Sequence, residues 1–150
     1  MLDKKRYALQ GFYEGKNCAQ SVIMAYANEF DMDTKQALKL AQGFGGGIGK
    51  MQKTCGAASG AYMLIGMRNS AHIDNEHIQQ STTTEMIQLF NKEFIRINGS
   101  DQCNKLLNID LKTEEGQASF KAKDMKKEIC SKCVTSAIDI LEDLFQTHKN

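Results

Sequence analysis

The chain of 150 residues contains no proline and no tryptophan. Average usage would supply about 5% proline. Its absence weakens any architecture built on an obligatory proline turn, the thioredoxin fold with its cis-proline among them. Valine is scarce too: two residues, against thirteen alanines, eleven leucines and eight methionines. That bias disfavours strands and favours helices. An excess of either charge is also missing. Nineteen Lys and Arg face eighteen Asp and Glu, for a net charge of +1. This balance argues against a protein held on nucleic acid by bulk charge. No hydrophobic run is long. Val22–Ala27 and Ala61–Met67 are the longest, and both fall far short of a membrane span. Met1 to Tyr7 is charged and leads into polar residues, so no targeting segment is expected and the expected compartment is the cytosol. Five cysteines are too few for a disulfide scaffold and odd in number. In a reducing compartment they point to redox chemistry, metal binding or plain core packing.

The apolar spacing is helical nearly throughout. A first helix is expected over Leu2–Tyr13, capped by Asp3 and ended by Gly15. Asn17 caps a second, Cys18 to about Phe30, with an apolar stripe at Val22, Ile23, Tyr26, Ala27 and Phe30. Asp33 caps a third, about Thr34 to Gln42. Gly43 to Gly49 holds five glycines and forms a loop, because glycine is costly inside regular elements. Thr54 caps a fourth helix, Cys55 to about Met67. A long fifth runs over about Glu76–Asn98 and stops at Gly99, with Thr82-Thr83-Thr84 marking a place where it could break. Ser100 or Asp101 caps a short helix over Cys103–Leu107, and Thr113-Glu114-Glu115 starts another. The last runs from about Lys123 to Phe145. The expectation is an all-α bundle of five to seven helices in a single domain, residues 1–150.

The cysteines follow the pattern Cys18-x36-Cys55-x47-Cys103-x26-Cys130-x2-Cys133. Cys18, Cys55 and Cys103 each fall in the expected first turn of a helix. Free N–H groups and the positive dipole end favour a thiolate there, and the thiolate is both nucleophile and metal ligand. Buried packing is the competing reading for each. Cys130 and Cys133 lie inside a helix at i, i+3 and share one face. A strong zinc signature would need a second such pair, which is absent. A Cys-x-x-Cys inside a helix, without proline, also excludes the thioredoxin architecture. Lys121, Lys123, Lys126, Lys127 and Lys132 surround this pair while the acids Asp139, Glu142 and Asp143 come later, an order that opposes the helix dipole. Either a positive neighbourhood for thiolates or a merely solvated face accounts for it.

Cys55-Gly56-Ala57-Ala58-Ser59-Gly60-Ala61 is the most specific segment. Gly56 and Gly60 lie on one face. They allow close approach of another backbone, or access to Cys55. The loop with Gly45, Gly46 and Gly47 is not a nucleotide loop. Gly49-Lys50 is followed by Met51 where a P-loop needs Ser or Thr, and Gly-x-Gly-x-x-Gly is absent. Such a loop could offer backbone amides to an anion or to a metal-bound sulfur, or serve as a connector. His72, His77 and His148 form no ligand spacing.

These segments, in this order, resemble the C_GCAxxG_C_C family of redox-active proteins. Gly15-Lys16-Asn17-Cys18-Ala19-Gln20 is similar to its first cysteine box. Ala41-Gln42-Gly43-Phe44-Gly45-Gly46-Gly47 and Thr54 to Gly60 are similar to its central motifs. Asn98 to Cys103 with Leu106-Leu107 is similar to the third, and Cys130 with Val134, Ala137, Ile138 and Leu141 to the fourth. The resemblance implies Cys18, Cys55, Cys103 and Cys130 as the functional set. It makes Cys133 an extra, standing where many relatives carry an aromatic residue. No substrate or redox partner is implied.

Three functions remain open from the sequence. In a thiol redox protein, Cys55 would attack and Cys18 or Cys103 would resolve. In a metal or iron–sulfur protein, Cys18, Cys55, Cys103, Cys130 and Cys133 would supply thiolate ligands. In a non-catalytic helical module, the cysteines would only pack. No nucleic acid or membrane span is expected among the partners, and the apolar helices allow a homodimer.

Overall fold

In the computed structural model, which describes residues 3–148, regular structure is helical and β pairing is confined to one isolated bridge. Eight α-helices occur among the described residues: α1 (Lys4–Tyr13), α2 (Cys18–Met24), α3 (Thr34–Leu40), α4 (Gly56–His72), α5 (Glu76–Asn98), α6 (Cys103–Leu107), α7 (Glu114–Ala122) and α8 (Ser131–Thr147). The short α6 and α7 raise the count above the expected five to seven. The expected start of α1 at Leu2 lies outside the described residues.

The caps explain most boundaries. The Asp3 carboxylate accepts from the Arg6 amide, and Asp33 accepts from Lys35. Asn17 and Gln20 form a reciprocal capping box on α2, and Thr113 accepts from the Gly116 amide. Gly99 ends α5 in the left-handed region at φ +92°.

Besides the last helix, whose α-helical part starts at Ser131 instead of about Lys123, behind the π-helical turn Lys126–Cys130 and a left-handed Asp124, four features differ from expectation. First, α2 stops at Met24 instead of Phe30. The chain tightens into turns, with Tyr26 N–H on the Ile23 carbonyl and Ala27 N–H on that of Met24. Tyr26 and Ala27 remain buried, so the apolar stripe survives without the helix. Second, the cap of α4 is Cys55 itself, not Thr54, and α4 continues to His72. Third, α5 is unbroken through its threonines, where the Thr83 hydroxyl accepts from the buried Asn69 amide at 3.0 Å. Fourth, Gln102 precedes α6 as its cap residue, while the Ser100 hydroxyl accepts from the Gln102 amide.

Helices α2, α4, α5 and α8 surround the main core. Tyr26, Leu64, Met86, Phe90, Phe94 and Leu141 are fully buried there. Full burial of a side chain of this size contributes about 1.5–3 kcal/mol. Closest approach is between α2 and α4, and it depends on the small residues. A Cβ on Gly60 would stand 2.9 Å from the Ala19 carbonyl oxygen. One on Gly56 would stand 2.8 Å from the Phe44 carbonyl oxygen and 3.2 Å from the Cys18 Cβ. Close packing is therefore what the paired glycines provide, and it carries Cys18 toward Cys55. A second, smaller cluster of Cys103, Leu107 and Met125 gathers Leu111, Phe120 and Ile129 beside the core. No helix among the described residues is long and apolar enough to cross a membrane.

Candidate functional site

All five cysteines line one cavity of about 490 Å³ between the two clusters. Each arrives on a different local device. Cys18 opens α2, held by the Asn17 cap. The Asn17 amide also donates to the carbonyls of Ala41 and Gln42, at 3.2 and 3.0 Å, tying α2 to the glycine loop. Cys55 and Cys103 are joined by the antiparallel bridge Thr54–Gln102. Within it the Cys55 amide donates to the Asp101 carbonyl, and the Cys103 amide to that of Lys53, both at 2.7 Å. Cys130 closes a π-helical turn, Lys126–Cys130, which runs directly into α8. Such turns concentrate at functional sites. Cys133 follows in the first turn of α8 and is buried.

The glycine loop forms another wall. Gly46, Gly47, Ile48, Gly49 and Lys50 all have positive φ, between +58° and +71°. Ile48 is β-branched and strained in that region. Gly47 cannot carry a side chain: a Cβ there would lie 2.7 Å from the Cys103 Cβ, the Gln52 Cα and the Lys53 nitrogen. A Cβ on Gly45 would likewise stand 2.5 Å from the Asn17 Cβ. Gln52 is buried and staples the far wall. Its amide donates to the Ile109 carbonyl at 2.7 Å, and its oxygen accepts from the Leu111 amide at 2.8 Å.

The thiols are paired. The Cys133 thiol donates to the Cys55 sulfur, which, with the Ala57 and Ala58 amides, holds Cys55 below its ordinary range despite burial. Cys133 is correspondingly raised, by that hydrogen bond and by burial. The Cys18 thiol donates to Cys130, raising Cys18 and lowering Cys130, with Lys126 adding to the latter. Cys103 is pushed up to about 12, chiefly by burial.

These directions correct part of the sequence expectation. Cys18, Cys55 and Cys103 do stand at helix starts, but only Cys55 among them has a lowered pKa. α2 and α6 are short, at seven and five residues, and their few aligned peptides are outweighed, at Cys18 by the hydrogen bond to Cys130 and then burial, at Cys103 by burial. Cys133, the supposed extra, is the hydrogen-bond partner of Cys55. Of the lysines clustered near it in sequence, Lys121 and Lys126 line the cavity, whereas Lys123, Lys127 and Lys132 are exposed outside it. Lys16 and Lys50 also line it and carried no signal in the sequence. None of the three histidines lines it. Among the described residues, no three His, Cys, Asp or Glu side chains are placed to hold one metal ion together.

The folded unit is thus an all-helical protein with a multi-cysteine pocket. The chain belongs to the family described as "Putative redox-active protein (C_GCAxxG_C_C)", whose model matches residues 16–144. No curated protein and no solved structure matches it.

Proposed function

We propose that the chain is a dithiol redox protein in which Cys55 attacks and Cys133 resolves. The observation that carries this reading is the Cys55–Cys133 thiol pair in the cavity wall, whose hydrogen bond lowers the pKa of Cys55 and raises that of Cys133. A lowered pKa on the attacking thiol and a protonated partner beside it are what thiol–disulfide exchange uses. The Cys55 thiolate attacks one sulfur of a partner disulfide, and a mixed disulfide forms as the first partner thiolate leaves. Cys133 then gives up its proton to that leaving thiolate and attacks the Cys55 sulfur. A Cys55–Cys133 disulfide forms, the second partner thiolate leaves, and it takes a proton from solvent. Two electrons pass from the two cysteines to the partner.

This assignment replaces Cys18 or Cys103 as the resolving residue. Cys103 is held as the neutral thiol by burial, and Cys18 is engaged with Cys130. The test is oxidation of the reduced protein by one equivalent of a small disulfide, followed by alkylation, digestion and mass spectrometry. The expected product is a Cys55–Cys133 linked peptide, and Cys133→Ser should trap Cys55 as the mixed disulfide. Linkage of Cys18 to Cys130 with Cys55 left open to alkylation would refute the assignment.

A further inference from the structure

The cavity wall indicates what enters it. Much of it is apolar, through Phe12, Leu107, Leu111 and Phe120. Its charged residues are Lys16, Lys50, Lys121 and Lys126, and no Asp or Glu lines it. None of these four lysines is in an ion pair among the described residues, whereas Lys4 and Lys5, elsewhere on the surface, are both paired. The Lys126 ammonium lies 4.9 Å over the Phe12 ring, which orients it, and its charge also acts on the Cys130 thiol. The amides of Gly46 and Gly47, also in the wall, donate to no acceptor among the described residues, and Gly47 is buried. Buried N–H groups without an acceptor are rare, and successive amides in such loops form anion-binding concavities. Four cations and two open amides without an opposing acid make the space selective for negative charge.

Size adds a second restriction. About 490 Å³ lies within the range of small-ligand sites, roughly 300–1,000 Å³. We infer that the disulfide this dithiol reduces is a small organic molecule with an apolar body and anionic groups, seated with its charges on the lysines and the Gly46–Gly47 amides. The inference rests on the dithiol reading above. The balance is one protein dithiol plus one R–S–S–R giving one Cys55–Cys133 disulfide plus two R–SH, with R carrying the negative charge throughout.

Two aromatic disulfides separate charge from reactivity: dithiobis(nitrobenzoate), a dianion, and dithiodipyridine, which is neutral at pH 7. Stopped-flow rate constants for the fully reduced chain are compared with those of a small model thiol. The anionic-to-neutral rate ratio of the protein should exceed that of the model thiol by at least about tenfold, as steering by a charged cleft provides. It should fall as salt is raised. It should also fall severalfold when Lys16→Gln, Lys50→Gln and Lys121→Gln are combined, in a protein whose circular dichroism is unchanged. A ratio equal to that of the model thiol overturns the inference while leaving the dithiol reading intact. So does a high ratio insensitive to both salt and the three substitutions. Reaction with both probes no faster than the model thiol overturns the dithiol reading, and this inference with it.

Discussion

Gly47 is where the fold meets the thiol site most tightly, and Gly47→Ala tests the geometry. Two costs arise. An L-residue at φ +71° costs about 1–2 kcal/mol. The new methyl would also stand 2.7 Å from the Cys103 Cβ, the Gln52 Cα and the Lys53 nitrogen. Two of those atoms are backbone, held by the bonds from Lys53 N–H to the Gly47 carbonyl and from Cys103 N–H to the Lys53 carbonyl. Retreat is therefore restricted, and overpacking of this kind costs about 1–3 kcal/mol. Restriction of the unfolded chain by alanine returns about 0.4–1 kcal/mol. The net expectation is a loss of about 3 kcal/mol. Gly49→Ala is the internal control. Its φ is +58°, so the backbone cost is similar, but nothing lies within 4 Å of the added Cβ. Its expected loss is about 1 kcal/mol or less. In urea, with a slope of about 2 kcal/mol per molar, the midpoint should fall by about 1.5 M for Gly47→Ala and by about 0.5 M or less for Gly49→Ala. Equal midpoint shifts would refute the reasoning, because backbone strain alone would then account for both.

Two further outcomes follow from particular contacts. Asn17→Ala removes the capping box and the two bonds to Ala41 and Gln42, and should cost about 1–2 kcal/mol in urea unfolding, more than Asp33→Ala, whose single capping bond is exposed. Stability should also decline as pH rises from about 8.5 toward about 12. Cys103 ionises near its free value in the unfolded chain but only at about 12 when folded, so the folded state holds more protons across that window and unfolding is favoured as pH increases. Each such group steepens the decline by at most about 1.4 kcal/mol per pH unit. Cys103→Ala should flatten the alkaline limb of the stability curve, and an unchanged limb would remove Cys103 from the account.

What was legible in the sequence is what short-range chemistry controls. Asn17, Asp33, Thr113 and Gly99 mark helix ends because capping involves neighbours in the chain. The Gly56–Gly60 face announced a close helix partner because a missing Cβ has few other uses inside a helix. The cysteine positions at helix starts could be placed for the same reason. What could not be read depends on distance across the fold. The Cys55–Cys133 contact joins residues 78 positions apart by numbering, and nothing local to either announces it. Lys16, Lys50 and Lys121 come from three separate segments and meet only around the cavity. Protonation reversed the expected direction at Cys18 through its hydrogen bond to Cys130 and then burial, and at Cys103 through burial, so contacts across the whole molecule outweighed the first-turn position.

The bridge between Thr54 and Gln102 has a consequence for assembly. It ties the base of the α4–α5 hairpin, so the segments carrying Cys55 and Cys103 meet only when that loop closes. Closing a loop of this length is tolerable because the entropy lost grows only with the logarithm of its length. During synthesis Cys18 and Cys55 leave the ribosome well before Cys130 and Cys133, which follow at least 75 residues later. The early cysteines therefore wait without their hydrogen-bonding partners. Completion of the pocket coincides with the docking of α8.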